Sequence, residues 1–329
     1  MKNFLITGGC GFIGSHFVVN CVKNGNFVVN LDKMTYAANL NNVKEVSNHQ
    51  NYRFIQGDIC SQSLIFDILN DFKIDAIVNF AAESHVDNSI IDADLFVKTN
   101  VNGTLSLLQA SRQYLENTKK ENFRFIHIST DEVFGSLSKG DKPFDENSPY
   151  KPNSPYSASK AASDHLVRAW FATYKLPIII TNCSNNFGEN QHQEKLIPTI
   201  IRSALQNKNI PIYGNGKNIR DWIYVGDHCA GIELALNKGK VGESYCFGGE
   251  FEITNIEIAH KICEILDALK PRKDGISYKN QIKFVEDRKG HDYRYAISND
   301  KAYKELGFKV SKNFAERLRQ VVLSIASLQ

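Results

Sequence analysis

Two groups of residues in this chain have the types and spacing to do chemistry together. Thr130-Asp131-Glu132 closes an apolar run that ends Phe125-Ile126-His127-Ile128-Ser129, and Tyr156-Ser-Ala-Ser-Lys160 comes shortly afterwards. Tyr156 and Lys160 are four apart, so on a helix they share one face. A lysine ammonium beside a phenol favours the phenolate and lowers the tyrosine pKa. Tyr156 is then a candidate base for a hydroxyl whose carbon gives up hydride. Tyr-x-x-x-Lys arises by chance on many helices, and two adjacent acids are most often a solvated loop. Together they describe more than a simple dehydrogenase needs, because an acid and a base beside a hydride site can move protons and expel a leaving group. The combination predicts a dehydratase that runs on an internal redox cycle.

Both groups must be positioned by regular elements. Phe4-Leu5-Ile6, Phe27-Val28-Val29, Tyr52 to Ile55, Ala76-Ile77-Val78, Phe123 to Ile126 and Pro177 to Ile180 read as strands. Helical spacing runs through Phe12 to Val22, Leu64 to Phe72, Leu95 to Leu115 and Tyr156 to Tyr174. Ser154-Pro155 makes a good start for the last of these, with a hydroxyl cap and proline in the first turn. Strand alternating with helix predicts an α/β fold of Rossmann type, a doubly wound parallel sheet. Thr130-Asp131-Glu132 then sits at the carboxyl end of a strand, where open α/β sheets bind ligands. Successive strand residues face opposite ways, so both carboxyls reach one substrate only if the chain leaves the strand after Ser129. Gly135 permits that. Past Asn182 the texture changes, with Gly214-Asn-Gly216, Gly226, Gly248-Gly249 and Pro271 breaking shorter helical stretches at Leu196 to Gln206 and Ile256 to Leu269. We expect a dinucleotide domain over residues 1–182 that carries the chemical groups. Residues 183–329 are expected to form a smaller C-terminal substrate-binding lobe whose chain crosses back to the sheet.

Thr7-Gly8-Gly9-Cys10-Gly11-Phe12-Ile13-Gly14 joins the first strand to the first helix as G-x-x-G-x-x-G. Glycine is needed there for the tight turn, for approach of a pyrophosphate to backbone, and for helix packing on strand. The helix N-terminus adds amide donors. Asp32, in Leu31-Asp32-Lys33-Met34-Thr35, ends the second strand, where a carboxylate accepts from ribose hydroxyls and repels a 2′-phosphate. It favours NAD, although Lys33 beside it is a cation that could accommodate such a phosphate. Asp58-Ile59 is placed to cover the adenine. Ala81-Ala82-Glu83-Ser84 offers small side chains where a cofactor lies against backbone. Thr99-Asn100 is a polar pair on the next helix, as easily solvated as buried.

The composition excludes other classes. Among 329 residues, 42% are apolar and 23% charged, as in an ordinary globular protein, and a net charge of +3 with no basic block gives no support for nucleic acid or a membrane surface. Cys10, Cys21, Cys60, Cys183, Cys229, Cys246 and Cys263 are scattered and never form C-x-x-C, which predicts free thiols in a reducing compartment and no zinc site. The N-terminus leads directly into a strand-length run, and a cytosolic protein is expected.

With these residues assembled, the chain closely resembles the nucleotide-sugar 4,6-dehydratases of the extended short-chain dehydrogenase/reductase family. The resemblance is carried by Ala81-Ala-Glu-Ser-His85-Val-Asp87, Ser129-Thr-Asp-Glu-Val-Phe-Gly135, Tyr156-Ser-Ala-Ser-Lys-Ala161, Glu194-Lys-Leu-Ile-Pro198, Gly216-Lys-Asn-Ile-Arg-Asp-Trp222 and Asp287-Arg-Lys-Gly-His291. It implies that Thr130 hydrogen-bonds the sugar C4 oxygen, Asp131 is the acid and Glu132 the base. It adds Asn186 to the NAD site, and implies a nucleoside-diphosphate glucose held by Ser84, His85, Asn185, Lys195, Leu196, Pro211, Ile212, Tyr213, Arg220, Asn255, Asp287, Arg288 and His291. Arg220 and Arg288 are planar forks suited to a diphosphate. The product implied is a 4-keto-6-deoxyglucose nucleotide, a precursor of rhamnose-type deoxysugars such as those of O-antigens. The family also implies a homodimer through a four-helix interface, for which Leu95, Val101, Leu105, Leu108, Leu166, Trp170 and Phe171 supply apolar surface. Phe134 and Phe187 stand where the family has Tyr, Gly188 to Gln193 replaces a proline-containing loop, Gly226 occupies an acidic position and Lys289 a proline. A 4-epimerase of the same fold would need Tyr156 and Lys160 but no acid/base pair. A non-catalytic NAD sensor could have lost both.

Overall fold

The computed structural model describes residues 1–327. Seven parallel strands form the main sheet: β1 (Asn3–Thr7), β2 (Phe27–Asp32), β3 (Tyr52–Gln56), β4 (Ala76–Asn79), β5 (Arg124–Thr130), β6 (Ile178–Cys183) and, after three strands of the second lobe, β10 (Ser244–Phe247). Their order is β10-β6-β5-β4-β1-β2-β3. The chain therefore builds outward from β1 in one direction and from β4 in the other. The crevice beyond Thr7 and Asn79, which are register partners, is the point where winding reverses. Alternate residues feed opposite layers. Phe4, Ile6, Val28, Val78 and Ile126 pack on one face, while Leu5, Val29, Ile77, Phe125 and Ile178 pack on the other. Both faces are buried, which is why these strands are nearly continuous in apolar residues.

The second lobe contains β7 (Asn185–Phe187), β8 (Ile210–Tyr213), β9 (Ile219–Tyr224), β11 (Glu252–Thr254) and β12 (Ile282–Val285), in a three-stranded sheet ordered β11-β9-β7 and a β12-β8 pair. Its helices Leu196–Leu205, Asn255–Leu269 and Phe314–Ser327 share a core with Phe187 and Trp222. Crossing back occurs as expected, since β10 pairs with β6 through Ser244↔Ile180 to Phe247↔Cys183.

Three expectations need correction. The stretch Leu95 to Leu115 is not one α-helix: Ala93–Phe96 is α-helical, Val97–Gly103 widens into a π turn, and Thr104–Thr118 resumes the α-helix. A π turn is a local change of backbone hydrogen bonding from i→i+4 to i→i+5 inside a helix, which the residue types do not announce. Leu108 is fully buried beneath that helix, and Leu166, Trp170 and Phe171 pack partly on the sheet core. Leu95 is exposed, and the other exposed apolar residues on this side are Ile91, Val97 and Tyr174. Phe123 lies just before β5 rather than in it. Phe134 and Phe187 are buried in aromatic clusters, Phe134 stacked on Phe144 and Phe187 against Trp222, Tyr224 and Phe314, where a hydroxyl would have to find a partner. All seven cysteines are free thiols, and no helix among the described residues is long and apolar enough to cross a membrane.

Candidate active site

The glycine loop is shaped by close approach. Gly8 has φ +69°, and a β carbon there would lie 2.7 Å from the Ala81 nitrogen; one at Gly14 would lie 2.3 Å from the Gly8 carbonyl oxygen. No side chain caps the helix Phe12–Lys23, which starts at this loop, so its first amides are available to an anion in the crevice. Asp32 is fixed at the end of β2, its Oδ2 accepting from the Cys10 amide at 2.9 Å and its Oδ1 from the Met34 amide at 2.8 Å. The Lys33 ammonium pairs with Asp58 at 2.8 Å, which engages the one neighbouring cation that would have suited a 2′-phosphate. These residues fit NAD. Thr99 and Asn100 lie in the π turn and are buried, not solvated. Asn100 accepts from the Glu83 amide at 2.9 Å and donates to the Glu83 carbonyl at 3.0 Å and to Ser159 at 2.8 Å. It thereby ties the Ala81 to Ser84 loop to the helix carrying Tyr156 and Lys160.

At the chemical end, Thr130 is the last residue of β5 and caps a short 3₁₀ turn, Asp131–Phe134, by accepting from the Glu132 amide at 3.3 Å. The chain leaves the strand one residue later than expected, and both carboxyls line one cleft with Tyr156 and Lys160. Asp131 is 2% exposed. Its Oδ1 accepts from the Thr130 hydroxyl at 3.3 Å, while Oδ2 has no protein partner. Burial, then the charges of Glu132 and Asp221, push its carboxyl well above the ordinary range. Burial raises Glu132 as well, but Lys195, Arg220 and Arg288 pull it back. Neighbouring carboxyls in such different surroundings are suited to opposite roles.

Helix Pro155–Tyr174 begins with a capping box between Ser154 and Ser157 and has proline in its first turn, so Tyr156 and Lys160 are set by a well-defined helix start. The expected lowering of the Tyr156 pKa by Lys160 does not appear. The Lys160 ammonium donates to the Ile128 carbonyl at 2.7 Å, and burial followed by the Glu132 charge pushes the Tyr156 hydroxyl well above 10. Burial lowers Lys160 itself.

A second cavity continues from the first, and the two share Ser84, Glu132, Asn185, Asn186, Gln191, Glu194 and Lys195. Its wall includes His85, Leu196, Pro211, Tyr213, Arg220, Asn255, Arg288 and His291. Lys195 donates to the Ser84 carbonyl at 2.8 Å. Arg220 stacks 4.4 Å from the Tyr295 ring centre and donates to the Asp292 carbonyl at 3.0 Å. Arg288 pairs with Asp87 at 2.5 Å, and the Tyr213 hydroxyl donates to the same carboxylate at 3.1 Å.

Three expected site residues lie outside the two cavity walls. Met34 packs toward the core below Asp32, Ile212 points into the second lobe's core because β8 alternates buried and exposed, and Asp287 is exposed and holds His291 at 2.6 Å. Residues not singled out include Asp87, Glu194, Asp292 and Tyr295. Asp87, Asp292 and Tyr295 lie in or beside the segments that carry the resemblance, but only the fold shows that they meet Arg288 and Arg220. Among the described residues no cluster of His, Cys, Asp and Glu has the makings of a metal site.

Comparison with known proteins agrees with this geometry. The model of the family described as GDP-mannose 4,6 dehydratase matches residues 5–321. The chain belongs to this family of nucleotide-sugar dehydratases. A dTDP-glucose 4,6-dehydratase of Xanthomonas campestris pv. campestris is 50% identical over 98% of this chain and 92% of its own length. The dTDP-glucose 4,6-dehydratase of Haemophilus influenzae is 49% identical over 98% of this chain and 97% of its own. Among solved structures, a dTDP-glucose 4,6-dehydratase from Streptomyces venezuelae with NAD bound superposes with a TM-score of 0.90 at 42% identity, covering 99% of this chain and 97% of that one. This dehydratase family thus shares the parallel seven-stranded sheet described above.

Proposed function

We propose that the chain is an NAD-dependent hydro-lyase that converts dTDP-glucose to dTDP-4-keto-6-deoxyglucose and water, with no net redox. The observation that carries this reading is the Asp131/Glu132 pair: two neighbouring carboxyls of opposite electrostatic bias, in one cleft with Tyr156 and Lys160. A 4-epimerase has no use for them.

When bound, NAD takes hydride from C4 of the sugar and returns it to C6. Gly8, Gly11, Phe12, Ile13, Gly14, Asp32, Thr35, Asp58, Ile59, Ala81, Ala82, Thr99 and Asn186 would hold it, with the Lys33 ammonium kept on Asp58. Thr130 hydrogen-bonds the C4 oxygen, and Tyr156, as the phenolate that the positive charge of bound NAD would favour against the effect of burial, takes its proton as hydride leaves. The resulting 4-ketone acidifies C5–H. Glu132, kept the more ionisable of the pair by three nearby cations, removes that proton. Asp131, whose protonated form burial favours, gives its proton to the departing C6 hydroxyl, which leaves as water. A proton returns to C5 as C6 receives hydride. Lys195, Arg220, Arg288 and His291 face the diphosphate, the two arginines as planar donors.

On this reading residues 1–182 carry the cofactor and the reacting groups and residues 183–329 mainly hold the sugar nucleotide. We extend the proposal to a cytoplasmic homodimer paired through the helices Thr104–Thr118 and Pro155–Tyr174, on the strength of the exposed apolar residues beside them. Its product would serve rhamnose-type deoxysugar synthesis. The purified protein, incubated with dTDP-glucose, UDP-glucose and other glucose nucleotides, should release a product one water lighter, fastest from dTDP-glucose. An inverted, unreduced sugar of unchanged mass would replace this reading with an epimerase.

A further inference from the structure

Tyr156 and Lys160 are followed at the same spacing by Asp164, so all three lie along one face of the helix Pro155–Tyr174. Asp164 is completely buried and lines neither cavity. An isolated carboxylate in such a place is costly unless it is paired and hydrogen-bonded. Here its Oδ2 accepts from the Ser129 hydroxyl at 2.7 Å and from the Tyr150 hydroxyl at 2.9 Å, and Oδ1 lies 3.3 Å from Nε2 of the buried His127.

The protonation of His127 follows from its neighbours. The Thr7 hydroxyl donates to Asn79 Oδ1 at 2.6 Å while accepting from the Ala81 amide at 3.3 Å, so the Asn79 amide group faces His127 Nδ1 at 3.2 Å as donor. Nδ1 is then the acceptor and Nε2 carries the hydrogen, which Ser163 Oγ accepts at 3.2 Å; Asp164 Oδ1 lies close to the same nitrogen but has no hydrogen-bond partner. His127 is neutral, a state that its burial and the Lys160 charge both favour. A directed chain of hydrogen bonds thus runs from the cofactor-facing Ala81 loop through His127 to Ser163 and on to the Lys160 carbonyl, ending beside Asp164. Burial alone would raise the Asp164 carboxyl, but the His127 contact, the Lys160 charge and the Ser129 hydrogen bond outweigh it and hold it below the ordinary carboxylate range. Lys160 and Asp164 make no direct ion pair; they stand one turn apart on one helix face and hold adjacent residues of β5, the Ile128 carbonyl and the Ser129 hydroxyl. Of the charges near the ammonium, Asp164 offsets its desolvation most.

We propose that Asp164 is a positioning residue for hydride transfer at C4: it is the buried counter-ion of Lys160, and through Ser129 it clamps the end of β5 to the Tyr156 helix. The proposal rests on the dehydratase reading given above. Two consequences differ. As counter-ion, Asp164 keeps Lys160 charged at the pH of catalysis. As clamp, it fixes Ser129, and with it Thr130 to Glu132, at a constant height against Tyr156. The groups facing Asp164 are Lys160 and, through Tyr150, Arg168 on its own helix; His127 and Ser129 on β5; and Tyr150 from the preceding loop. Cys183 on β6 faces Lys160, and burial first of all drives its thiol far up, so it contributes no charge of its own.

The test is single-turnover reduction of enzyme-bound NAD by dTDP-glucose, followed over a pH series with holoenzyme. Asp164→Asn, nearly the same size, should retain NAD, reduce it about tenfold or more slowly, and carry the alkaline limb of the rate profile to lower pH by about one unit or more, because the neighbouring carboxylate no longer favours the ammonium. Ser129→Ala keeps the charge and loses the clamp, so its rate should fall a few-fold with the limb unmoved. An Asp164→Asn profile that is lower but coincident in pH with wild type would overturn the counter-ion. A Ser129→Ala enzyme equal to wild type would overturn the clamp. Should Asp164→Asn not fold, Asp164→Glu retains the charge at an altered height and must slow the step without moving the limb; a moved limb would overturn the proposal. Failure of the wild-type protein to form 4-keto-6-deoxy product would instead remove the functional reading on which it rests.

Discussion

The cofactor end of the cleft and its sugar-nucleotide end are built from different materials. Toward the cofactor, fit depends on backbone: a glycine at positive φ, a second whose β carbon would strike a carbonyl, and a helix N-terminus with no side-chain cap. The side chains there already have partners, Asp32 with two amides and Lys33 with Asp58. Toward the sugar nucleotide, the surface is made of long charged side chains from separate segments: Lys195 on the Ser84 carbonyl, Arg220 on the Ile219, Asp292 and Tyr293 carbonyls, and Arg288 on Asp87. Rigid backbone suits a cofactor that must return its hydride within the same turnover and so stay bound. Side chains that can exchange partners suit a substrate that enters and leaves. Glu132 and Lys195 belong to both cavities and mark where the two meet.

The largest effect should come from the reacting groups of the first cavity. Tyr156→Phe removes the proposed base and should slow the first hydride transfer by ~10²–10⁴-fold. Bound NAD should be unchanged when the purified variant is assayed for cofactor content. At the cofactor end, Gly8→Ala places a β carbon 2.7 Å from the Ala81 nitrogen at φ +69°. Left-handed backbone and overpacking together cost about 2–5 kcal/mol, so the variant should be purified with little NAD and melt several degrees lower. At the other end, Arg288→Ala leaves Asp87 without its cation and removes one diphosphate donor. With both groups partly exposed, KM for dTDP-glucose should rise by roughly tenfold and kcat fall by less, since Glu132 keeps Lys195 and Arg220, while NAD content holds. Loss of NAD from the Arg288 variant, or of substrate affinity alone from the Gly8 variant, would erase the contrast between the two ends.

Much of the first end is legible in sequence because its determinants are local. A strand, a glycine-spaced turn and a helix lie within one short segment, and Tyr156 and Lys160 share a helix face by spacing alone. The acid/base pair is legible as residue types, but its bias is not, since it depends on Asp221 and Arg220 from β9 and on Lys195 and Arg288 from other segments. The contact of Lys160 with the Ile128 carbonyl, and with it the state of Tyr156, also needs coordinates. Ile212 shows the converse: Pro211-Ile212-Tyr213 reads as one binding segment, yet strand alternation sends its middle side chain into the core. The π turn at Val97–Gly103 is not announced by the residue types, although it places Asn100 where it joins two parts of the site.

The central claim is that hydride transfer and elimination use separate groups in one cleft. Asp131→Asn preserves size and the Thr130 contact but removes the proton that the C6 hydroxyl needs to leave, while Tyr156, Lys160 and Thr130 stay as they are. Single-turnover absorbance of the reduced cofactor should therefore be followed beside formation of the 4-keto-6-deoxy product. The account predicts cofactor reduction within a few-fold of the wild-type rate and product formation slower by ~10²-fold or more, so that reduced cofactor accumulates. An equal fall in both steps, or no change in either, would contradict it.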